Sequence, residues 1–154
     1  MPLHDQSPQA LKDPHDPSLP RDSPNLSYMK NPQVSSLHSV FIVLDQVMSQ
    51  VEYHCFPRGP FDRIDPLYKE LCLIIAEVLL FNHDSFIKIN GSFISAHTVQ
   101  EVYSRINNDH VRLVFDNFCS VSHRIYNKKA YLRTSLYNAV FEIEAHFINV
   151  FACN

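Results

Sequence analysis

The sequence predicts a mainly α-helical domain of about five helices with one short β-hairpin, preceded by a disordered tail. Three observations support this fold class. Apolar residues recur at helical spacing from Ser36 onward, an Asn-Gly pair separates two short β-branched runs, and seven of the ten prolines fall within the first 35 residues. We therefore divide the chain into a Pro/Ser-rich tail, residues 1–35, and a helical domain, residues 36–154.

Composition supports this division. The chain has 154 residues, about the size of one domain. A body of about 120 residues buries roughly 65% of its unfolded surface, which is enough for a hydrophobic core. The tail has too few aliphatic residues to offset the entropy of ordering. None of the four cysteines belongs to a CxxC pair, so we interpret them as reduced, mostly buried thiols of a cytoplasmic protein.

Helical spacing and capping residues predict the first two helices. The first is expected from Ser36 to about Tyr53. Asp65 is expected to cap the second helix, with Pro66 at its first position. The second helix is apolar enough to be the central one. The expected apolar face of the first helix is Leu37, Val40, Phe41, Leu44, Val47, Met48 and Val51.

A β-hairpin and two further helices are predicted in the middle of the chain. Asn90-Gly91 separates two short runs, and both residues tolerate the positive φ of a tight hairpin turn. A third helix is expected at about 96–106. A fourth, at about 109–119, is expected to be capped by Asn108.

The most informative stretch is residues 123–139, which hold four fixed positive charges and no acid in a chain of formal net charge −3. It is predicted to form a helix capped by Asn127. Lys128 and Lys129 fall in its first turn, where the helix dipole disfavours a cation by ~0.3–1 kcal/mol each. We interpret this placement as a docking point for an anion such as a nucleic-acid phosphate. Replacing both lysines with glutamate is therefore expected to stabilise the free domain.

Candidate DNA-binding residues follow from this stretch. Lys129, Arg133 and Tyr137 recur at i, i+4 and i+8, so we expect an exposed flank beside a buried face. Tyrosines interleaved with cations can stack on bases. The alternative is a solvated basic face, with Tyr131 in the core. The predicted DNA-binding residues are Arg124, Lys128, Lys129, Tyr131, Arg133 and Tyr137.

An enzyme is the less favoured interpretation. His83-Asp84 is an HD pair of the kind used by metal-dependent phosphohydrolases. We expect it in the turn between the second helix and the first strand, where metal ligands do not converge and Asp84 bonds to local backbone. The sequence has neither an HExxH motif nor a glycine-rich phosphate loop, so we predict no metal and no cofactor. The longest apolar run, at 71–81, is too short to span a bilayer.

Several runs resemble the C-terminal domain of the plasmid replication initiator protein A family of Gram-positive bacteria. They are FIKING at 86–91, NDHVRLVFD at 108–116 and IYNKKAYL through LYNA at 125–139. The resemblance covers about residues 40–148. In that family a winged-helix domain, not found here, recognises the origin. The resemblance implies a non-catalytic DNA-binding domain in plasmid or mobile-element replication initiation.

The ending is also similar to the DnaD-type primosomal domain, whose final helix carries a DNA-binding signature. Tyr131, Leu132, Leu136 and Asn138 match that signature, whereas Ser135 and Ala139 replace its isoleucine and tryptophan. Val140 stands where the initiator family usually has proline. The last helix is therefore expected to continue toward the C-terminus.

The alternative function is a protein-interaction module that oligomerises or contacts a helicase loader. Its candidate surface is the aromatic segment containing Phe141, Phe147, Ile148 and Phe151. For Phe147 we favour plain core packing over an interface. DNA binding would depend strongly on salt, whereas an apolar interface would not.

Overall fold

The computed structural model describes residues 32–152, with side chains from Leu37 onward. It contains five α-helices and one two-stranded antiparallel sheet, so the predicted fold class is confirmed. Most of the predicted tail lies outside the described residues. The elements are α1 Pro32–Gln50, α2 Pro66–Leu79, β1 Phe86–Ile89, β2 Ser92–Ser95, α3 Ala96–Tyr103, α4 Asn108–Ser120 and α5 Lys128–Ala152.

Helix α2 is the central element, as predicted. The Asp65 side chain accepts a hydrogen bond from the Leu67 N–H at 2.8 Å, and Pro66 occupies the first helical position. Eight of the helix's residues are buried, and it contacts each of the other four helices. At its far end the Gln100 side-chain amide of α3 donates to the carbonyls of Val78, Leu79 and Phe81, which lie at or just after the end of the helix.

The β-hairpin forms at the predicted turn. Asn90 has φ 51° and Gly91 has φ 81°, which is the left-handed pair that a two-residue hairpin turn requires. Ile87 and Ile89 are buried. The turn is also held to α5, because the side-chain amides of Asn90 and Asn138 exchange hydrogen bonds at 2.9 and 3.3 Å. Packing against helices gives this short ribbon the support it needs.

Helix boundaries differ from the predictions at four places. Helix α1 begins at Pro32, within the segment assigned to the tail, and ends at Gln50, whereas α3 ends at Tyr103. The cap of α4 is Asn107 rather than Asn108. Asn107 has an extended backbone, and its side chain accepts from the N–H groups of Asp109 and His110 at 3.1 and 3.3 Å. Asn108 instead donates to the Val51 carbonyl at 2.9 Å, which joins α4 to the end of α1.

Helix α1 is only half covered by the body. Leu44, Val47 and Val51 are buried, but Leu37 and Phe41 on the same stripe are exposed. The predicted apolar face is therefore correct for the second half of the helix only. No helix within residues 32–152 has the combined length and hydropathy needed to cross a bilayer.

Candidate functional site

The start of α5 is organised by its predicted cap. The Asn127 side-chain oxygen accepts from the Ala130 N–H at 3.0 Å, and its carbonyl accepts from the Tyr131 N–H at 3.0 Å. Lys128 and Lys129 are the first two helical residues. The N–H groups of a first turn have no acceptor inside the helix, so this end carries partial positive charge in addition to the two ammonium groups.

Both lysines are paired with carboxylates of α2. The Lys128 ammonium lies 2.5 Å from a Glu70 carboxylate oxygen, and the Lys129 ammonium lies 2.5 Å from one of Glu77. The anions that balance this cationic helix start are thus supplied by the chain itself. The expectation that two glutamates at 128 and 129 would stabilise the domain is therefore wrong, because each new carboxylate would face Glu70 or Glu77.

Arg124 and Tyr126 form an exposed pair just before the helix. The Arg124 guanidinium carbon lies 5.3 Å from the centre of the Tyr126 ring, within cation–π range. Tyr126 is 89% exposed, and it is not among the residues that pack against the core. Tyr126 is one of the tyrosines interleaved with the cations, together with Tyr131 and Tyr137, but the predicted set of DNA-binding residues did not include it. We name Arg124, Tyr126, Lys128 and Lys129 the basic cluster.

An open groove lies beside the basic cluster. It has a volume of about 270 Å³ and is lined by Phe118, Val121, His123, Ile125 and Lys128. Three of these side chains are apolar, and the Lys128 ammonium lies 5.3 Å from the centre of the Phe118 ring. The groove therefore has an apolar base and a positively charged edge. Such a surface can bind a planar group that is bonded to a negatively charged group.

Three predicted DNA-binding residues are drawn into the body instead. Tyr131 and Tyr137 are half-buried and pack against the core, with Tyr131 6.1 Å from the Phe118 ring. Arg133 was expected to be exposed but is half-buried. Its Nε is buried, and within the described part of the chain it has no hydrogen-bond partner. The expected exposed flank of α5 is therefore wrong beyond its first turn, because α3 and α4 cover it.

The Arg133 backbone has a structural role. Its carbonyl accepts a hydrogen bond from the Tyr103 hydroxyl at 2.7 Å, which fixes α3 against α5. Tyr103 is fully buried, and burial raises the pKa of its phenol far above the ordinary value, an effect that the Arg133 charge opposes. Tyr103 is consequently a neutral donor near neutral pH.

The other end of α5 leaves the body. The helix runs unbroken past Val140, and every residue from Ala145 to Ala152 is exposed. An ion pair between Arg105 and Glu144 lies just before this point. Phe147 is 52% exposed, so the favoured prediction that it packs in the core is wrong. We name residues 141–152 the apolar end, after its exposed side chains Phe141, Phe147, Ile148 and Phe151.

The groups considered for catalysis are dispersed. His83-Asp84 lies in the turn between α2 and β1, as predicted, but the local hydrogen bond is made by Asn82, whose side chain accepts from the Asp84 N–H at 3.0 Å. Within the described residues, no three His, Cys, Asp or Glu side chains are grouped so as to hold a metal ion. The expectation of mostly buried thiols is wrong for the described cysteines, because Cys55 and Cys119 are exposed and Cys72 is buried. Burial raises the pKa of the Cys72 thiol to about 12, so that thiol stays protonated near neutral pH.

Comparison with known proteins finds one matching family. No curated protein and no solved structure matches this chain. A family of proteins described as of unknown function, DUF6017, matches residues 17–154, nearly the whole length. Because this match covers nearly the whole chain, the chain belongs to the DUF6017 family.

Proposed function

We propose that this chain is a non-catalytic DNA-binding module that acts in the cytoplasm in plasmid or mobile-element replication initiation. The observation that supports DNA binding is the basic cluster, in which an exposed Arg124–Tyr126 pair lies beside the two first-turn lysines. The replication context rests on the resemblance of residues 86–139 to the replication initiator family.

The basic cluster has the chemistry that a nucleic-acid backbone needs. Arg124 offers a planar set of donors for a phosphate, and the free N–H groups at the start of α5 add further donors. Tyr126 presents an open ring face on which a base can stack. None of these contacts depends on base identity, so the expected binding is largely independent of sequence.

Glu70 and Glu77 compete with phosphate for the lysines. Their ion pairs with Lys128 and Lys129 are roughly half exposed, and such pairs contribute ~0–1 kcal/mol each. A phosphate can therefore displace them at small cost. With three cations engaged, affinity for duplex DNA should fall with salt at a log–log slope of about −3, from −0.9 per phosphate contact.

A titration with duplex DNA at several salt concentrations tests this function. Arg124→Gln should make the slope shallower by about 1. Lys88→Gln is the matched control, because Lys88 also lies over an exposed aromatic ring, Phe93 at 5.8 Å, but on the hairpin. Absence of salt-dependent binding, or equal effects of the two substitutions, would contradict DNA binding at the basic cluster.

A second candidate function is a protein-interaction module. It is favoured by the exposure of Phe147, Ile148 and Phe151, at 52%, 68% and 75%. Large apolar side chains grouped on a protein surface are typical of contact sites. A partner bound there would be retained at high salt, which separates this function from phosphate binding.

A further inference from the structure

The apolar end carries a helix-pairing pattern. Phe141, Ala145, Ile148 and Ala152 follow each other at intervals of four, three and four residues, which places them on one line along α5. The two alanines on this line allow another helix to approach closely. Phe151 flanks the line on one side. The buried face of α5, which contains Leu132 and Leu136, lies on a different side of the helix, so this line is separate from the core contact.

The exposed area on this side of α5 suits a weak interface between two copies. Phe141, Ile148 and Phe151 expose 44%, 68% and 75% of their surfaces, whereas Phe147 lies on the continuation of the core face and is not counted. At about 200 Å² per large side chain, these three and the two alanines offer on the order of 450 Å². Two copies would together bury on the order of 900 Å², which is in the range of weak, transient contacts.

The absence of fixed charge in this segment favours a second copy of the chain as its partner. Residues 145–152 contain no Asp, Glu, Lys or Arg. A second copy of the same segment would therefore bury no unpaired charge, whereas DNA would find no cation and a charged protein surface would lose solvation. The Arg105–Glu144 pair sits at the edge of the segment and is already satisfied within the chain.

We propose that two copies of this chain associate through the apolar end of α5, with Ile148 near the centre of the contact. The proposal deepens the protein-interaction function and does not depend on DNA binding. It gives a two-fold interface in which each copy supplies the same residues. Because the interface is of minimal size, association should be concentration-dependent.

Sedimentation velocity of the full chain, without nucleic acid, tests the proposal. The mass should rise from that of the 17.8 kDa chain toward twice that value as concentration increases from low to high micromolar. Ile148→Glu combined with Phe151→Glu should keep the chain monomeric, because association would bury four carboxylates. Both residues are exposed, so the variant should retain its helical circular dichroism and melting temperature.

Phe93→Glu is the matched control. Phe93 is 71% exposed but lies on the hairpin, so this substitution should leave association unchanged. A parent chain that is monomeric at every concentration would overturn the proposal. So would loss of association in Phe93→Glu with retention in the Ile148/Phe151 variant. Binding of the apolar end to a different protein, with the parent chain monomeric, would overturn self-association while leaving the protein-interaction function standing.

Discussion

The two ends of α5 differ in charge, in burial and in the partners they meet. At the first turn, Lys128 and Lys129 are held to α2 by ion pairs, and Arg124 stands exposed just ahead of them. At the last turns there is no fixed charge and no residue is buried. Between them, Leu132 and Leu136 are fully buried. One continuous helix thus combines a core segment with two surfaces of opposite chemistry, which we assign to DNA and to a second copy.

The comparison shows that exposure and charge must be considered together. A cation at a helix start suggests an external anion most directly when the chain supplies none; here Glu70 and Glu77 supply two, so a phosphate must displace them. An apolar side chain late in a helix suggests a core only while there is a body beneath it, and α5 passes that limit at Glu144. Within the described residues, the chain supplies neither an anion for Arg124 nor a body beneath Ile148, so we propose external partners for these two residues.

The largest difference along α5 should appear in stability. Leu136→Ala removes a fully buried side chain and should lower the free energy of unfolding by about 2–5 kcal/mol. Ile148→Ala, at a 68% exposed position, should change it by about 0.5 kcal/mol or less. Urea denaturation at a concentration where the chain is monomeric measures both. Similar losses in the two variants would mean that the apolar end is packed on the body in solution.

The next largest effect on stability concerns the basic cluster. Lys128→Glu with Lys129→Glu removes two ion pairs and sets carboxylates against Glu70 and Glu77, while the helix dipole favours the new acids. The domain should therefore lose up to ~1 kcal/mol of stability. DNA binding should be lost in the same variant. Lys69→Glu with Lys88→Glu, at exposed positions elsewhere, is the control and should have the smaller effect on stability. A stabilised Lys128/Lys129 variant would show that the ion pairs with α2 do not form.

Removing the competing carboxylates should sharpen the contrast between the ends. Glu70→Gln with Glu77→Gln frees both lysines for phosphate and should raise DNA affinity by a few fold, in line with ~0–1 kcal/mol per pair. The control is Asp45→Asn with Glu101→Gln, which removes the same charge from other exposed positions. Fluorescence anisotropy with labelled duplex at fixed salt compares them. Equal gains in both variants would indicate a general charge effect rather than release of Lys128 and Lys129.

Local signals in the sequence were sufficient for much of this structure. Asp65-Pro66 and Asn127 mark helix starts because short polar side chains accept from free N–H groups, and Asn90-Gly91 marks the hairpin because both residues adopt positive φ. These effects act within a few residues, so they can be recognised without knowledge of the tertiary fold.

The candidate site was less predictable because it depends on distant contacts. Glu70 and Lys128 are far apart in the chain, and no local pattern pairs them. Arg133 has the helical spacing of a surface residue, yet it is half-buried and its backbone carbonyl is bonded to Tyr103 of α3. Phe147 has the spacing of a core residue, yet the body ends before it. In each case the decisive fact is where a neighbouring element lies.

The smallest predicted effect lies away from α5 and provides a baseline for pH experiments. Burial, with a contribution from Arg105, lowers the pKa of His110, while Asp109 opposes the shift. The unfolded chain therefore binds this proton more readily than the folded one. Stability should be full above about pH 6.5 and should decline as pH falls through the lower folded pKa. His110→Gln keeps an acceptor for the Asn107 N–H and should remove this part of the decline in urea midpoints. An unchanged pH profile in the variant would assign the decline to other groups.

The most direct test of the account is the salt dependence of DNA binding in three proteins, of which the first is the parent chain. The second is the apolar-end variant, which carries Ile148→Glu and Phe151→Glu. The third changes the basic cluster at Arg124→Gln, Lys128→Gln and Lys129→Gln, and we call it the basic-end variant. The parent and the apolar-end variant should share a log–log slope of about −3 per chain. The basic-end variant should have a slope near zero while it still associates like the parent. A basic-end variant that keeps the parent's slope, or a parent without salt-dependent binding, would contradict the assignment of DNA binding to the start of α5.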